Sequence, residues 1–274
     1  VPEDAFLRRF LRTGAEKMPE LLKMCLILCP LVFLAGFVDS VAGGGGLISL
    51  PAYLLIGLPA HVAAGTNKVV ACIGTSFAAG RYLKSGCVKL KPALLAAAGA
   101  LLGSFLGTKA ALGLNETALK TVLLCALPLT AVFLAVKKDF GQAAARPAKA
   151  RTPGAQVALS AAIGLAIGIY DGLVGPGTGT FMMMAFTAVL GFDLLTSTGC
   201  AKIGNLASNV ASSVVWLLGG KVMLALVLPA AVFGAAGNLL GARYAIRGGS
   251  GKIRGMIFVV LGLMFAKLLY DLLT

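Results

Sequence analysis

The sequence predicts an all-α polytopic membrane protein of two inverted repeats, about five helical segments each, with Gly-broken half-helices at the midplane. Three observations predict it. The 274 residues are 58% hydrophobic and only 12% charged, with a mean hydropathy of +0.93, whereas soluble domains carry about 25% charged residues. Long apolar runs recur, separated by short connections that are often basic. A motif that is expensive in such runs occurs twice: residues 36–45 read Gly-Phe-Val-Asp-Ser-Val-Ala-Gly-Gly-Gly, and residues 168–177 read Gly-Ile-Tyr-Asp-Gly-Leu-Val-Gly-Pro-Gly. The aspartates, Asp39 and Asp171, stand 132 residues apart. An acidic side chain and a cluster of helix breakers are each costly at membrane depth, so their recurrence at matched places points to a duplicated site. Paired Gly/Pro-interrupted hydrophobic segments are the sequence mark of a secondary transporter's binding site.

The elements follow in order. Residues 1–23 set apolar pairs (Phe6 and Leu7, Phe10 and Leu11, Leu21 and Leu22) among charges, the pattern of an amphipathic helix on the membrane surface. No cleavable signal is evident in this stretch. Apolar segments near 24–42, 47–58, 62–80, 92–112 and 117–136 make a first transmembrane repeat over 24–136. A polar cytoplasmic linker is expected at 137–154, with Lys137, Lys138, Arg146, Lys149 and Arg151. The second repeat, 155–274, has segments near 155–174, 179–192, 196–218, 222–246 and 255–272. Segments 47–58 and 179–192 are shorter than the roughly 20 residues a span needs. Whether 24–42 and 47–58 both cross or form a re-entrant hairpin stays open at this point.

The halves match beyond the opening motif. Gly65-Thr66-Asn67-Lys68 aligns with Gly199-Cys200-Ala201-Lys202, and Gly103-x-x-x-Gly107 with Gly237-x-x-x-Gly241, both at an offset of 134. The Gly-x-x-x-Gly pairs read as close helix packing. Basic residues gather at 81–91, in the central linker and at a turn with Arg243, Arg247, Lys252 and Arg254, while the turns at 115–116 and 219–221 carry little positive charge. Placing the three basic connections in the cytoplasm requires an odd number of crossings per half, hence an inverted repeat with both termini outside.

The net charge of +14 comes from these connections, with no basic stripe interleaved with exposed aromatics, so nucleic acid is not an expected partner. The six cysteines show no metal-ligand spacing and read as small apolar residues. Cys200, aligned with Thr66, could instead face the cavity. His61, after Pro59, is expected at an interface rather than in a proton relay.

Gly43, Gly44, Gly45 and Gly46, and Gly175, Gly177 and Thr178 around Pro176, cannot stay helical, since Gly costs about 1 and Pro about 3 kcal/mol per position relative to Ala. Unwound backbone in a membrane survives only in protein or against a cavity, and half-helices beginning there offer free N–H groups to an anion. Lys68 and Lys202 lie in apolar stretches just beyond, where each needs a partner: an anionic substrate or the repeat's own aspartate. Asp39 and Asp171 could pair with the lysines, cap broken ends or carry protons. Thr66, Asn67, Asn205 and Asn209, with Ser40, Thr75, Ser76, Thr180 and Ser208, are spaced to line the same cavity.

The pairing of Asp39-x-x-x-Gly-Gly-Gly-Gly-Leu47 with Gly65-Thr-Asn-Lys68, repeated with Pro176 and Thr178 in place of a clean glycine run, resembles the TauE/SafE family. These are sulfite and organosulfonate exporters, also called the toluene-sulfonate uptake permease family. The resemblance spans about 25–272. It implies an ion-gradient-driven carrier of a small sulfur-containing anion in a bacterial-type inner membrane, with import and export both known under the name. Neither a cofactor, a metal nor a catalytic residue is expected. An anion channel of the same architecture and an intramembrane enzyme are the alternatives, and the second lacks a Gly-x-Ser-x-Gly or His-Glu-x-x-His motif. Spacing alone leaves the anion, the coupling ion and the oligomeric state open.

Overall fold

The computed structural model describes residues 17–136 and 153–273. Most of the expected surface helix and of the central linker lies outside them. Among the described residues there are nine helices and no strand: α1 Lys17–Ala42, α2 Gly46–Leu55, α3 Ala60–Lys84, α4 Leu90–Gly113, α5 Glu116–Val136, α6 Pro153–Leu173, α7 Thr178–Leu190, α8 Leu194–Leu218 and α9 Leu224–Leu273. Residues 17–23, assigned from sequence to the surface helix, continue directly into α1. The expected turn around 247–254 is a kink: two helical stretches of α9 meet at Gly249 (φ 62, ψ −162), whose backbone leaves helical geometry.

Among the described residues, four helical stretches are long and apolar enough to cross a membrane: Pro19–Ala42, Leu90–Gly113, Gly154–Leu173 and Leu224–Ile253. Their outer faces show large apolar side chains, among them Leu26, Leu94, Leu102 and Leu228, an arrangement that suits lipid rather than water. Polarity is turned inward instead. α3 and α8, 25 residues each, hold Thr66, Lys68, Thr75, Lys202, Asn205, Ser208, Asn209 and Ser212 buried.

Small residues let these helices meet backbone to backbone. In α4, Gly99, Gly103 and Gly107 abut Ala161, Leu165 and Ile169 of α6 in the same order, so the two helices run parallel. Gly237 and Gly241 of α9 abut Phe33 and Phe37 of α1 in the same way. The first half's fourth helix thus packs on the second half's first, and the converse. α3 and α8 run antiparallel: Gly65 near the start of α3 abuts the Lys221 carbonyl beyond α8, and Gly199 near the start of α8 abuts the Cys87 carbonyl beyond α3. Ser104 and Thr108 of α4 hydrogen-bond Ser212 of α8, each at 2.7 Å, satisfying hydroxyls that would otherwise be stranded in an apolar interior.

The first broken segment is a hairpin. Gly45 packs against the same half's α1, where an added Cβ would stand 2.5 Å from the Ala35 carbonyl oxygen and from the Asp39 Cβ. A straight continuation would carry residue 45 about 15 Å beyond residue 35. α2 therefore folds back, and its Leu50 and Tyr53 join Met24, Leu28 and Val32 of α1 in one apolar cluster. Outside the spans, Asp193 caps α8 by accepting from the Thr196 N–H at 3.0 Å. Burial pushes its carboxyl up, but hydrogen bonds from Thr196 and neighbouring N–H groups outweigh this and hold it below the usual carboxylate range.

Candidate functional site

Both breaks occur one turn after an aspartate. α1 ends at Ala42, Gly43 turns with φ +79, and α2 begins at Gly46. α6 ends at Leu173, Gly175 turns with φ +92, and α7 begins at Thr178. Positive φ at these two positions is open to glycine and strained for other residues. The breaks pack on each other: Gly43 lies against the Gly179–Thr180 backbone, and Gly46 against Pro176. The Thr180 N–H donates to the Gly43 carbonyl at 3.2 Å and its hydroxyl to the Ala42 carbonyl at 2.7 Å.

Several N–H groups that the sequence leaves free for an anion are therefore engaged within the protein. Those of Leu47 and Thr178 reach the Gly44 and Gly175 carbonyls at 3.1 and 3.3 Å, and that of Gly45 reaches Asp39 Oδ1 at 3.4 Å. Lysine, more than loop backbone, supplies the positive charge here.

The lysines are paired, but not with their own repeat's aspartates. Lys68 Nζ stands 2.6 Å from Asp171 Oδ1, and Lys202 Nζ 2.5 Å from Asp39 Oδ2. Each ion pair links one half to the other, because the antiparallel contact of α3 and α8 carries each lysine across to the opposite half's break. The surroundings then differ. Asp171 also accepts from the Thr178 hydroxyl at 2.7 Å and from the Ser208 hydroxyl, and its side chain is 2% exposed. Asp39 has Lys202 and the longer Gly45 contact, with its side chain 16% exposed.

A cavity of about 80 Å³ lies at this junction. On a scale where one water needs roughly 10–15 Å³, it holds a few waters or one small oxyanion. Its wall includes Asp39, Gly43, Gly45, Gly46, Asn67, Lys68, Asp171, Gly175, Thr178, Asn205 and Asn209. Thr75 also lines it, within 3.5 Å of the Asn209 amide nitrogen. Lys68 Nζ reaches Asn209 Oδ1 at 3.4 Å.

Other expected residues point elsewhere. Lys202, 1% exposed, is sealed behind Asp39. Gly44 is buried outside the wall, and Gly177 packs on the Thr130 methyl. The Thr66 hydroxyl accepts from the Met223 N–H at 2.9 Å, tying α3 to the start of α9. Cys200, its counterpart, is turned toward the Lys89 carbonyl at 3.8 Å rather than the cavity. Ser40 donates to the Asn238 carbonyl and side-chain oxygens at 2.8 Å, and Ser76 bonds back to the Ile73 carbonyl on an exposed face. His61 is buried, with Nδ1 2.7 Å from Glu116 Oε2 and Nε2 3.1 Å from the Leu114 carbonyl.

Asn238 and Trp216 line the cavity, although Asn238 sits inside the Gly237-x-x-x-Gly241 pair read as packing and no motif holds Trp216. Their repeat counterparts, Ser104 and Tyr82, are different residues, and only the packing of α9 on α1 and α3 and of α8 on α3 brings them in. An isolated Asn in an apolar run was the one available signal.

An apolar exterior, inward polarity, paired helix breaks and buried charges around a small cavity define a multi-pass helical membrane protein of the transporter class. The family described as "Sulfite exporter TauE/SafE" matches residues 28–268, and the chain belongs to this family. Curated relatives agree. The probable membrane transporter protein ORF9 of Sinorhizobium sp. is 35% identical over 87% of this chain and 90% of its own length. YfcA of Escherichia coli (strain K12), also named a probable membrane transporter protein, is 34% identical over 89% of each. A probable membrane transporter protein of Haemophilus influenzae is 32% identical over 87% of this chain and 92% of its own. No solved structure matches the chain significantly.

Proposed function

We propose that this protein is a secondary transporter, acting as an exporter, that moves a small sulfur-containing anion, sulfite or an organosulfonate, across a bacterial-type inner membrane at the expense of an ion gradient. The observation that carries the proposal is the cavity between the two helix breaks, walled by Lys68, Asp171, Asp39, Asn67, Asn205 and Asn209 inside an apolar bundle. Four charges at such depth have no value to a passive scaffold. The substrate class comes from the family description, and a small oxyanion suits both the volume and a compact ammonium donor. The inverted-repeat arrangement belongs to the same proposal. The antiparallel packing of α3 and α8, and the crosswise pairing of α1 with α9 and α4 with α6, support it.

Charge balance suggests how transport couples to protons. Two lysines and two aspartates cancel, so an anion entering beside Lys68 leaves the site one negative charge in excess. Asp39, the less hydrogen-bonded aspartate, is placed to exchange that charge for a proton: it takes one up from outside after the anion has left and gives it up inside before the next anion binds, so proton entry drives export.

The test is Lys68→Ala. Alone, it strands the buried Asp171 charge, a loss on the order of 3–5 kcal/mol, so the double variant Lys68→Ala/Asp171→Asn is made beside it. The double variant should recover expression and thermal stability yet fail to transport sulfite or methanesulfonate in proteoliposomes. Normal uptake by that variant would remove Lys68 from the anion site. A parallel Lys202→Ala/Asp39→Asn variant should be inactive too.

A further inference from the structure

The chain's sole tryptophan, Trp216, lies in α8 134 residues after Tyr82 of α3, the offset that also relates Lys68 to Lys202. Both rings are buried, but their hydrogen bonding differs. The Tyr82 hydroxyl donates to the Ser40 carbonyl at 2.9 Å, beside Asp39. Trp216 lies in the cavity wall together with Lys68, Asp171 and the Gly172–Val174 stretch. It is 1% exposed, and its indole Nε1 has no hydrogen-bond partner among the described residues.

An indole N–H can only donate, and a buried donor is nearly always matched by protein, water or ligand. A neighbouring ring braces the indole. His61 meets it edge-on at 6.0 Å between centroids, and His61 is itself held by Glu116 and the Leu114 carbonyl. A fixed, unmatched donor in the wall of a cavity that also holds an ammonium group is half of an oxyanion site.

We infer that Trp216 contacts the substrate, its indole N–H donating to one oxygen of the anion while the Lys68 ammonium engages another. The inference rests on the anion-transport reading above and adds to it a second donor and a selection rule. An anion with two or more acceptor oxygens on one centre, such as sulfite or a sulfonate, satisfies both donors together. A monatomic anion such as chloride has one acceptor centre to offer both donors and should bind more weakly. The first half makes no such contact, because Tyr82 spends its hydroxyl on Ser40.

The test uses the full chain in detergent or nanodiscs. One tryptophan gives one indole cross-peak in a ¹H–¹⁵N spectrum, so the donor can be watched without altering the protein. Titration with methanesulfonate or sulfite should move that peak downfield and saturate, and chloride at equal ionic strength should not. Trp216→Phe keeps an aromatic ring without the N–H and should raise the calorimetric Kd for methanesulfonate about tenfold or more, the worth of a hydrogen bond to a charged group, with uptake KM rising in step. An unmoved indole peak while the wild type binds methanesulfonate overturns the Trp216 assignment and leaves the anion reading standing. So does an unchanged Kd in Trp216→Phe. Failure of the wild type to bind or take up any of these oxyanions overturns the anion reading itself, and the inference with it.

Discussion

Among single side chains, Asp39 and Asp171 begin as equals in the repeated motif and end in unlike surroundings. Three donors hold Asp171: Lys68, Thr178 and Ser208. Asp39 has Lys202 and a longer contact from Gly45, and it is the more exposed of the two. The proposed mechanism therefore places proton coupling at Asp39, which fewer donors hold. Asp39→Asn keeps shape and hydrogen bonding but cannot titrate. It should still bind substrate and should lose accumulation driven by a pH difference, measured as proteoliposome uptake with and without an imposed gradient. Each variant, Asp39→Asn or Asp171→Asn, leaves a buried lysine without its counter-charge, Lys202 or Lys68, so both should lose thermal stability, and in Asp171→Asn that loss should be the main effect. Wild-type pH-driven accumulation in both variants would make the aspartates structural caps and move the coupling ion elsewhere. The four charges were legible in the sequence because each is expensive and each recurs. Their pairing was not, since spacing suggests partners within a repeat, whereas the antiparallel contact of α3 with α8 exchanges them.

For the elements, the ten segments expected from apolar periodicity and glycine breaks correspond to α1–α9, because helix-forming apolar runs and their interruptions are local signals. The last two share α9 on either side of Gly249, and α1 begins earlier than expected, at Lys17. What sequence left open was direction: whether α2 continues α1 or returns along it. That depends on Gly45 reaching Ala35 and Asp39, a contact no local pattern encodes. The Gly-x-x-x-Gly pairs were legible as packing, but their partner helices were not. A contrast between two glycines tests how much the close approach contributes. At Gly103 an added Cβ would collide with the Leu165 carbonyl and stand 2.8 Å from the Ile169 nitrogen. Gly103→Ala should therefore lower stability by about 1–3 kcal/mol, the usual cost of overpacking. At Gly80, in the same kind of helix, a Cβ meets nothing within 4 Å, and Gly80→Ala should be neutral or gain up to about 1 kcal/mol from helix propensity. Thermal unfolding in detergent reads both. Equal effects at the two sites would mean that the α4–α6 contact is looser than its backbone spacing implies.

For the whole molecule, the basic connections gather at one end. The α3–α4 turn abuts the start of α8 through Cys87 and Gly199, and Lys89 sits over the Phe192 ring of the α7–α8 turn, 4.1 Å from its centroid. Tyr82 near the end of α3 shares an apolar cluster with Ala242 and Ala245 of α9. Gly164, midway along α6, abuts Ala96 of α4, and the two helices run parallel, which carries the start of α6 to this end as well. At the other end, Glu116 holds His61, and Lys221 abuts Gly65. Positive charge segregated in this way orients a membrane protein with its basic end in the cytoplasm, and under the proposed inverted arrangement the end near residue 116 faces outward. In a background lacking the native cysteines, Ser85→Cys and Thr152→Cys should then resist an impermeant thiol reagent added to intact cells, and Thr117→Cys, exposed at the opposite end, should react. Both sets should react once the membrane is opened, which separates protection by the bilayer from burial. Labelling of residue 85 or 152 from outside would reverse the orientation, and labelling of 85 and 117 from the same side would undo the arrangement of the helices.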